Sequence, residues 1–350
     1  MKKFLKRKQI NISFRAYFID AMGAMALGLF ASLLIGTIFG TIYDKTGVEF
    51  FGKMKEFATA AAGPAMAVAI GYALKADPMV LYSLAAVGWA ANAEGGAGGP
   101  LAVLVIAIIA AECGKMVSKE TKVDILVTPG VTIFVGVALA KLIAPPIGTA
   151  ASAFGLMIDQ ATKLQPFLMG IAVSVLVGIA LTLPISSAAI CSVLGLTGLA
   201  GGAAVAGCCA QMVGFAVMSF KENRWGGLVA QGVGTSMLQM PNIVKNPKIW
   251  IPPTLASAIT GPLATCLFKL EMNGAPVNSG MGTCGFCGQI GVWTGWVADV
   301  ASGAKAAVTA MDWVGLALIS FVLPAALSWI FCQILRKWGW IKENDLKLDL

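Results

Sequence analysis

The sequence predicts an all-α polytopic membrane protein, and three observations carry that prediction. Hydrophobic residues make up 58% of the 350 and charged residues 12%, about half the charge of a soluble domain. The mean hydropathy is +0.82. Apolar stretches of spanning length, about 20 residues, recur along the chain between short basic or glycine-rich breaks. We expect about ten membrane segments, with broken or re-entrant helices and an internal repeat.

The net charge of +8 is unevenly placed. Lys2, Lys3, Lys6, Arg7, Lys8 and Arg15 crowd the N-terminus among Phe4, Leu5, Ile12, Phe14 and Phe18. Residues 1–19 therefore read as a basic, membrane-surface lead-in. It lacks the small-residue cleavage site of a secretory signal, so it is expected to stay in the mature chain. Its apolar residues favour a lipid surface over nucleic acid. Residues 20–336 are expected to form one membrane domain, and 337–350 a cytoplasmic tail.

Histidine is absent, which excludes Ser–His or Cys–His catalysis, an imidazole metal site and a phosphohistidine. The eight cysteines, at 113, 191, 208, 209, 266, 284, 287 and 332, lie mostly in apolar segments and read as small buried residues. Cys284 and Cys287 have C-x-x-C spacing but no second ligand pair for zinc. They also lack a thioredoxin-like setting for redox work. No phosphate-loop motif occurs. No cofactor, metal or self-contained catalytic site is expected.

The first span is expected at 20–42, where Ala24, Gly28, Ser32, Gly36 and Gly40 form a small-residue ridge. That ridge fits either packing within the chain or a homodimer seam. A second span covers 57–75. The segment 79–92 is too short to cross comfortably; Glu94, the break GGAGGP and an apolar helix over 100–117 follow it. A span at 124–144 should stop at Pro145–Pro146, leaving 147–165 along the surface.

From Pro166 the pattern begins again. A span over 166–183 is followed by a short segment, the break GLAGGA at 198–203, an apolar helix to Phe220 and the basic loop 221–224. A longer piece, 225–248, precedes a span from Ile249. The repeat halves are thus about 57–144 and 166–270. With the basic loops and both termini on the cytoplasmic side, 79–117 and 185–220 must each leave and return. The stretch 272–311 must then begin and end outside, as a re-entrant hairpin or a pair of short spans.

Polar residues at these breaks are the candidate solute-binding groups: Glu94 and Asn92 at the first, and Asn278, Thr283 and Gln289 in the hairpin. Glu94 reads as an acceptor for solute hydroxyls or an ion site, or as a solvated residue near a surface. Glu112 and Lys141, near span ends, read as snorkelling side chains or structural ion pairs. Gln211 either lines a cavity or bonds a neighbouring helix.

Two stretches carry a resemblance that runs along the whole chain: SFRAYFIDAMGAMALGLFASLLIGTIFG (13–40) and NGAPVNSGMGTCGFCGQIGVW (273–293). They resemble the type-2 enzyme IIC family of the sugar phosphotransferase system, which includes the PfoR-like regulators of perfringolysin O. The resemblance implies a dimeric, multi-span permease in a bacterial plasma membrane, with separate IIA and IIB proteins relaying phosphate. A chain without histidine cannot supply that relay itself. The expected function is binding and translocation of a sugar or similar solute between the two halves by alternating access. The alternative is a membrane sensor that binds a ligand without moving it, with 225–248 as its contact surface for a cytoplasmic partner.

Overall fold

The computed structural model describes residues 2–348, and among these the chain divides into two compact units, 1–152 and 153–350. The first unit holds α1 (Lys2–Arg7), α2 (Ala16–Thr46), α3 (Glu49–Ala60), α4 (Ala62–Ala73), α5 (Pro78–Gly95) and α6 (Gly99–Val117). It also takes the first part of α7 (Asp124–Thr162). The second holds the rest of α7, α8 (Pro166–Thr182), α9 (Ser187–Val193), α10 (Gly198–Met218) and α11 (Phe220–Val229). After these come α12 (Met240–Lys245), α13 (Ile251–Pro262), α14 (Cys287–Ala301) and α15 (Ala310–Lys337). The protein is an all-α, multi-pass membrane protein.

In the first unit the small-residue ridge of α2 is occupied by the chain itself. A Cβ on Gly28 would come within 2.6 Å of Ala65 O, and one on Gly36 within 2.8 Å of Thr59 Cγ2. Gly40 meets the Lys55 stem, and Ser32 donates back to Gly28 O at 2.7 Å. Of the two readings the ridge admitted, packing within the chain is the one the contacts show, since α3 and α4 cover the surface a dimer would need. Membrane helices pair through such close approach because lipid offers no hydrophobic drive toward a neighbouring helix.

The segment expected to be too short is a full helix: α5 has 18 residues, about 27 Å of rise. It turns at Gly96 (φ +50°), and α6 returns along it. The ends meet, with Gly114 against Val80 and Ser118 Oγ donating to Asp77 Oδ2 at 3.0 Å. Thus 78–117 is a helical hairpin whose two ends lie together. The expected stop at Pro145–Pro146 does not occur, because α7 continues to Thr162. Both prolines sit on its exposed side, while Ala140, Ala144, Ala151, Ile158 and Ala161 continue one buried stripe. Missing proline donors on the outer face therefore do not end the helix. The expected surface segment 147–165 is that stripe's continuation.

The basic lead-in is pinned to the loop after α6. The buried Lys115 Nζ donates to Gln9 O at 2.9 Å and Leu74 O at 2.8 Å, and pairs with Glu112 at 3.1 Å. Arg7 and Lys8 pair with Glu120 at 2.6 and 2.5 Å.

In the second unit α10 is almost wholly buried and packs against α8, α13 and α15. Its glycines allow the contact: a Cβ on Gly207 would overlap Ser174 O, and one on Gly202 would overlap Leu270 O. GLAGGA is therefore only partly the break. Gly201 and Gly202 lie inside the helix for close approach, while the turn falls at Gly195 (φ +59°) and at the first glycine of the run, Gly198 (φ +62°). The short segment expected before it is α9, seven residues and about 10 Å long. The loop 221–224 is helical across a kink at Arg224 (φ 52°).

Candidate functional site in the second unit

The hairpin enters through an antiparallel bridge in which Met272 N donates to Gly198 O at 3.0 Å and Gly198 N to Met272 O at 3.1 Å. Asn273 reinforces it, accepting from Gly198 N at 3.1 Å and donating to Asp299 Oδ2 at 2.8 Å. The first helical turn of α10, which would otherwise carry unpaired donors, is thus held by the incoming chain. Two short 3₁₀ turns follow, Pro276–Gly280 and Cys284–Phe286. Glycine- and asparagine-rich sequence breaks the helix here, as expected. From Cys287 it does not, and α14 runs to Ala301 through Gly288, Gly291 and Gly295. Gly291 and Gly295 face Asn278 and Asn273, so they serve close packing rather than a break.

The tip docks on α9 and α10. Ser187 Oγ donates to Gly280 O at 2.7 Å, and Gly282 (φ +54°) lies where a Cβ would come within 2.6 Å of Cys208 Cβ. Non-helical backbone in a membrane protein needs such partners from the surrounding protein. Behind the tip, Val292 and Trp296 of α14 join a core with Val205, Cys209, Leu270, Met272, Leu316 and Ile319. Trp296 and Trp313 meet edge to face at 5.3 Å, a geometry worth about 0.5–1.5 kcal/mol beyond the area it covers.

The six candidate residues fall into separate places. Thr283 is buried with its hydroxyl 3.5 Å from Met212 Sδ, and Gln289 donates to Cys209 Sγ at 3.2 Å. Both therefore face α10. Gln289 Oε1 is buried without a hydrogen-bond partner. The Ser320 hydroxyl, on α15, faces the same Cys209 thiol and also lacks a well-aligned partner. Asn278 is half-buried, its Cβ against Gly291.

Gln211 looks the other way. It accepts from Trp250 Nε1 at 2.9 Å and Thr182 Oγ1 at 3.3 Å, and donates to Thr254 Oγ1 at 3.3 Å. These bonds tie α10 to α8 and α13. In the first unit Asn92 is wedged between Gly63 and Gly99, and Glu94 pairs with Lys141 at 2.5 Å. Lys141 and Glu112 are thus both ion-paired, one of the two readings the sequence offered for them. A cavity of about 730 Å³ opens beside the lead-in, lined by Lys6, Gln9, Asp20, Lys75 and Glu112, and none of the six candidates lines it.

Sequence reasoning missed Cys209 and Ser320 as neighbours of Gln289. The available signal was weak, since Ser320 shares an otherwise mainly apolar last span with a second hydroxyl, Ser328. The piece 225–248 is partly covered, because its carboxamides hold the chain's own tail: Asn242 donates to Lys347 O at 2.8 Å and Gln239 to Leu346 O at 3.0 Å, while Trp225, Lys245 and Lys248 stay exposed.

Broken helices pinned by glycine, with polar residues at the breaks of a multi-pass helical protein, are the pattern found in membrane carriers. The family described as Phosphotransferase system, EIIC matches residues 19–348, and the chain belongs to that family. It is a membrane permease subunit for sugar uptake, associated with the IIA and IIB components of the system. Comparison with curated proteins and with solved structures returned no match.

Proposed function

We propose that the second unit binds the sugar where the hairpin meets α10, through Gln289, with Thr283, Asn278 and Ser320 alongside. The observation that carries this reading is the buried, unpartnered Gln289 Oε1. A buried acceptor without a donor costs about 1–3 kcal/mol. Sugar hydroxyls supply the donor it lacks. Because the group is 9% exposed, the hairpin must move for a sugar to reach it, which fits alternating access. Gln211 supports the frame by holding α10 to its neighbours. Glu94 and Asn92 belong to the corresponding break of the first unit, where Glu94 exchanges its Lys141 partner for solute hydroxyls. A homodimer through Ala24, Gly28, Ser32, Gly36 and Gly40 is no part of this reading. We place both termini on the cytoplasmic face of a bacterial plasma membrane, following the basic loops.

The test is uptake of a sugar panel into proteoliposomes supplied with IIA and IIB components. Gln289→Leu should lower kcat/KM at least tenfold and Glu94→Gln severalfold. Wild-type rates for Gln289→Leu would contradict the reading. Uptake of no sugar by folded wild type would instead favour the ligand-binding sensor.

A further inference from the structure

Residues 340–348 are seated against the stretch 219–248 by a row of carboxamides. Asn223 Nδ2 donates to Leu346 O at 2.7 Å, and its Oδ1 accepts from Leu348 N at 2.8 Å. Gln239 Nε2 donates to the same Leu346 O at 3.0 Å, and Asn242 Nδ2 to Lys347 O at 2.8 Å. Asn246 Nδ2 donates to Trp340 O at 2.9 Å and to Asp345 Oδ2 at 2.8 Å. All but the last of these bonds reach the main chain of the tail.

The tail itself is a turn. Lys342 N donates to Asp345 Oδ2 at 2.8 Å, and Asn344 takes the left-handed conformation at φ 67°. The turn sinks two apolar side chains, Ile341 and Leu346, while Lys342, Glu343 and Asn344 between them face outward.

The receiving groups are preset beneath the tail. Gln239 Nε2 also donates to Gln231 Oε1 at 2.9 Å, and Asn242 Nδ2 to Gln239 Oε1 at 2.9 Å. Gln231 is anchored in turn on Ser219 Oγ and Gly227 O, both at 2.9 Å. Gln231, Gln239 and Asn242 are all buried. Such a network is favourable only when every member is satisfied. The tail carbonyls Leu346 O and Lys347 O complete it, so the cradle needs an occupant.

We propose that this row is a peptide-binding site. It takes a short turn-forming peptide of the type Ile-Lys-Glu-Asn-Asp-Leu, reading its backbone through Asn223, Gln239, Asn242 and Asn246 and its two apolar side chains through pockets. Residues 341–346 are the resident, exchangeable ligand. The site makes no use of the sugar-binding groups.

The test uses a fluorescent peptide of residues 338–348 and the full chain in detergent, read by anisotropy. Leu346→Asp places a carboxylate where the side chain is fully buried and should free the tail. That variant should bind the peptide at least tenfold more tightly than wild type, whose site is filled. Adding Gln239→Ala should weaken binding about tenfold, the loss of a buried hydrogen-bonding group. A Leu346→Asp protein that melts as cooperatively as wild type but takes up no peptide overturns the proposal. If Leu346→Asp does not fold, a protease-cleavable linker at Gly339 decides the matter. The severed tail should stay bound through gel filtration and exchange out against excess peptide. Immediate loss without rebinding, or retention without exchange, counts against it.

Discussion

At Gly96 the first unit turns back on itself, and α6 returns along the full length of α5. At Gly195 the second unit turns too, but α9 has seven residues and does not supply the matching helix. The hairpin fills that place: the 276–280 turn packs on α9, and Met272 pairs with the start of α10. The difference has a physical cause. A break inside a membrane leaves backbone donors and acceptors that only protein or trapped water can satisfy. Where a whole helix does this, as in the first unit, the polar side chain sits at the edge, and Glu94 finds Lys141 there. Where an irregular hairpin does it, polar side chains come in with the backbone, and Thr283 and Gln289 are sealed against α10.

The comparison can be broken most severely at the glycines. Gly207→Val would drive a side chain into the Ser174 backbone, and the loss should exceed about 3 kcal/mol and abolish monodisperse protein in gel filtration. Gly96→Ala meets nothing within 4 Å and should cost only backbone strain at its positive φ, about 1–3 kcal/mol. Comparable yields for the two variants would erase the distinction between a glycine that permits close packing and one that makes an open turn.

A smaller effect is expected at the hairpin tip. Ser187→Ala removes the donor to Gly280 O and should cost about 1–2 kcal/mol. Amide exchange should rise over 276–286 and stay unchanged over 78–117. Uniform loosening of both regions would mean that the tip is not held locally.

Much of this was legible in the sequence, and the failures share a cause. The ridge of α2, the turn at Gly96 and the irregular hairpin follow from glycine spacing and charge placement. Pro145–Pro146 misled because proline stops a helix only where its missing donor matters, and here both face outward. GLAGGA misled because a glycine run in a membrane segment marks a break or a close approach with equal force. Gly202 and Gly207 serve approach, to backbone that lies far off in the sequence. The same blindness hid Ser320, which touches Cys209 across more than a hundred residues. It also hid the role of the carboxamides of 225–248, whose partner, the tail, is equally distant in sequence.

The smallest effect lies in acid. The Asp77 carboxyl is held below its ordinary value by the Lys119 hydrogen bond first, and that of Glu120 by Lys8 first. Both carboxyls are in the first unit. Depressed carboxyls stabilise the fold above their unfolded values, near 4, and that contribution is lost as pH falls through the lower folded values. Melting temperature should therefore be flat from pH 6 to 5 and fall below about pH 4. Asp77→Asn should flatten part of that acid limb and leave the neutral region nearly unchanged. An acid limb identical in the variant would remove Asp77 from the account.

The most direct test of the central claim, that the hairpin brings an unsatisfied sugar-binding acceptor into the second unit, is thermal unfolding of Gln289→Leu with and without sugar. Replacing a buried carboxamide whose oxygen is unpartnered, and whose nitrogen bonds only a thiol, by an apolar group of similar size should leave the sugar-free melting temperature unchanged or raise it. The upward shift that a transported sugar produces in wild type should disappear. A variant that melts lower without sugar yet keeps the full sugar-induced shift would show Gln289 to be a structural residue and contradict the account.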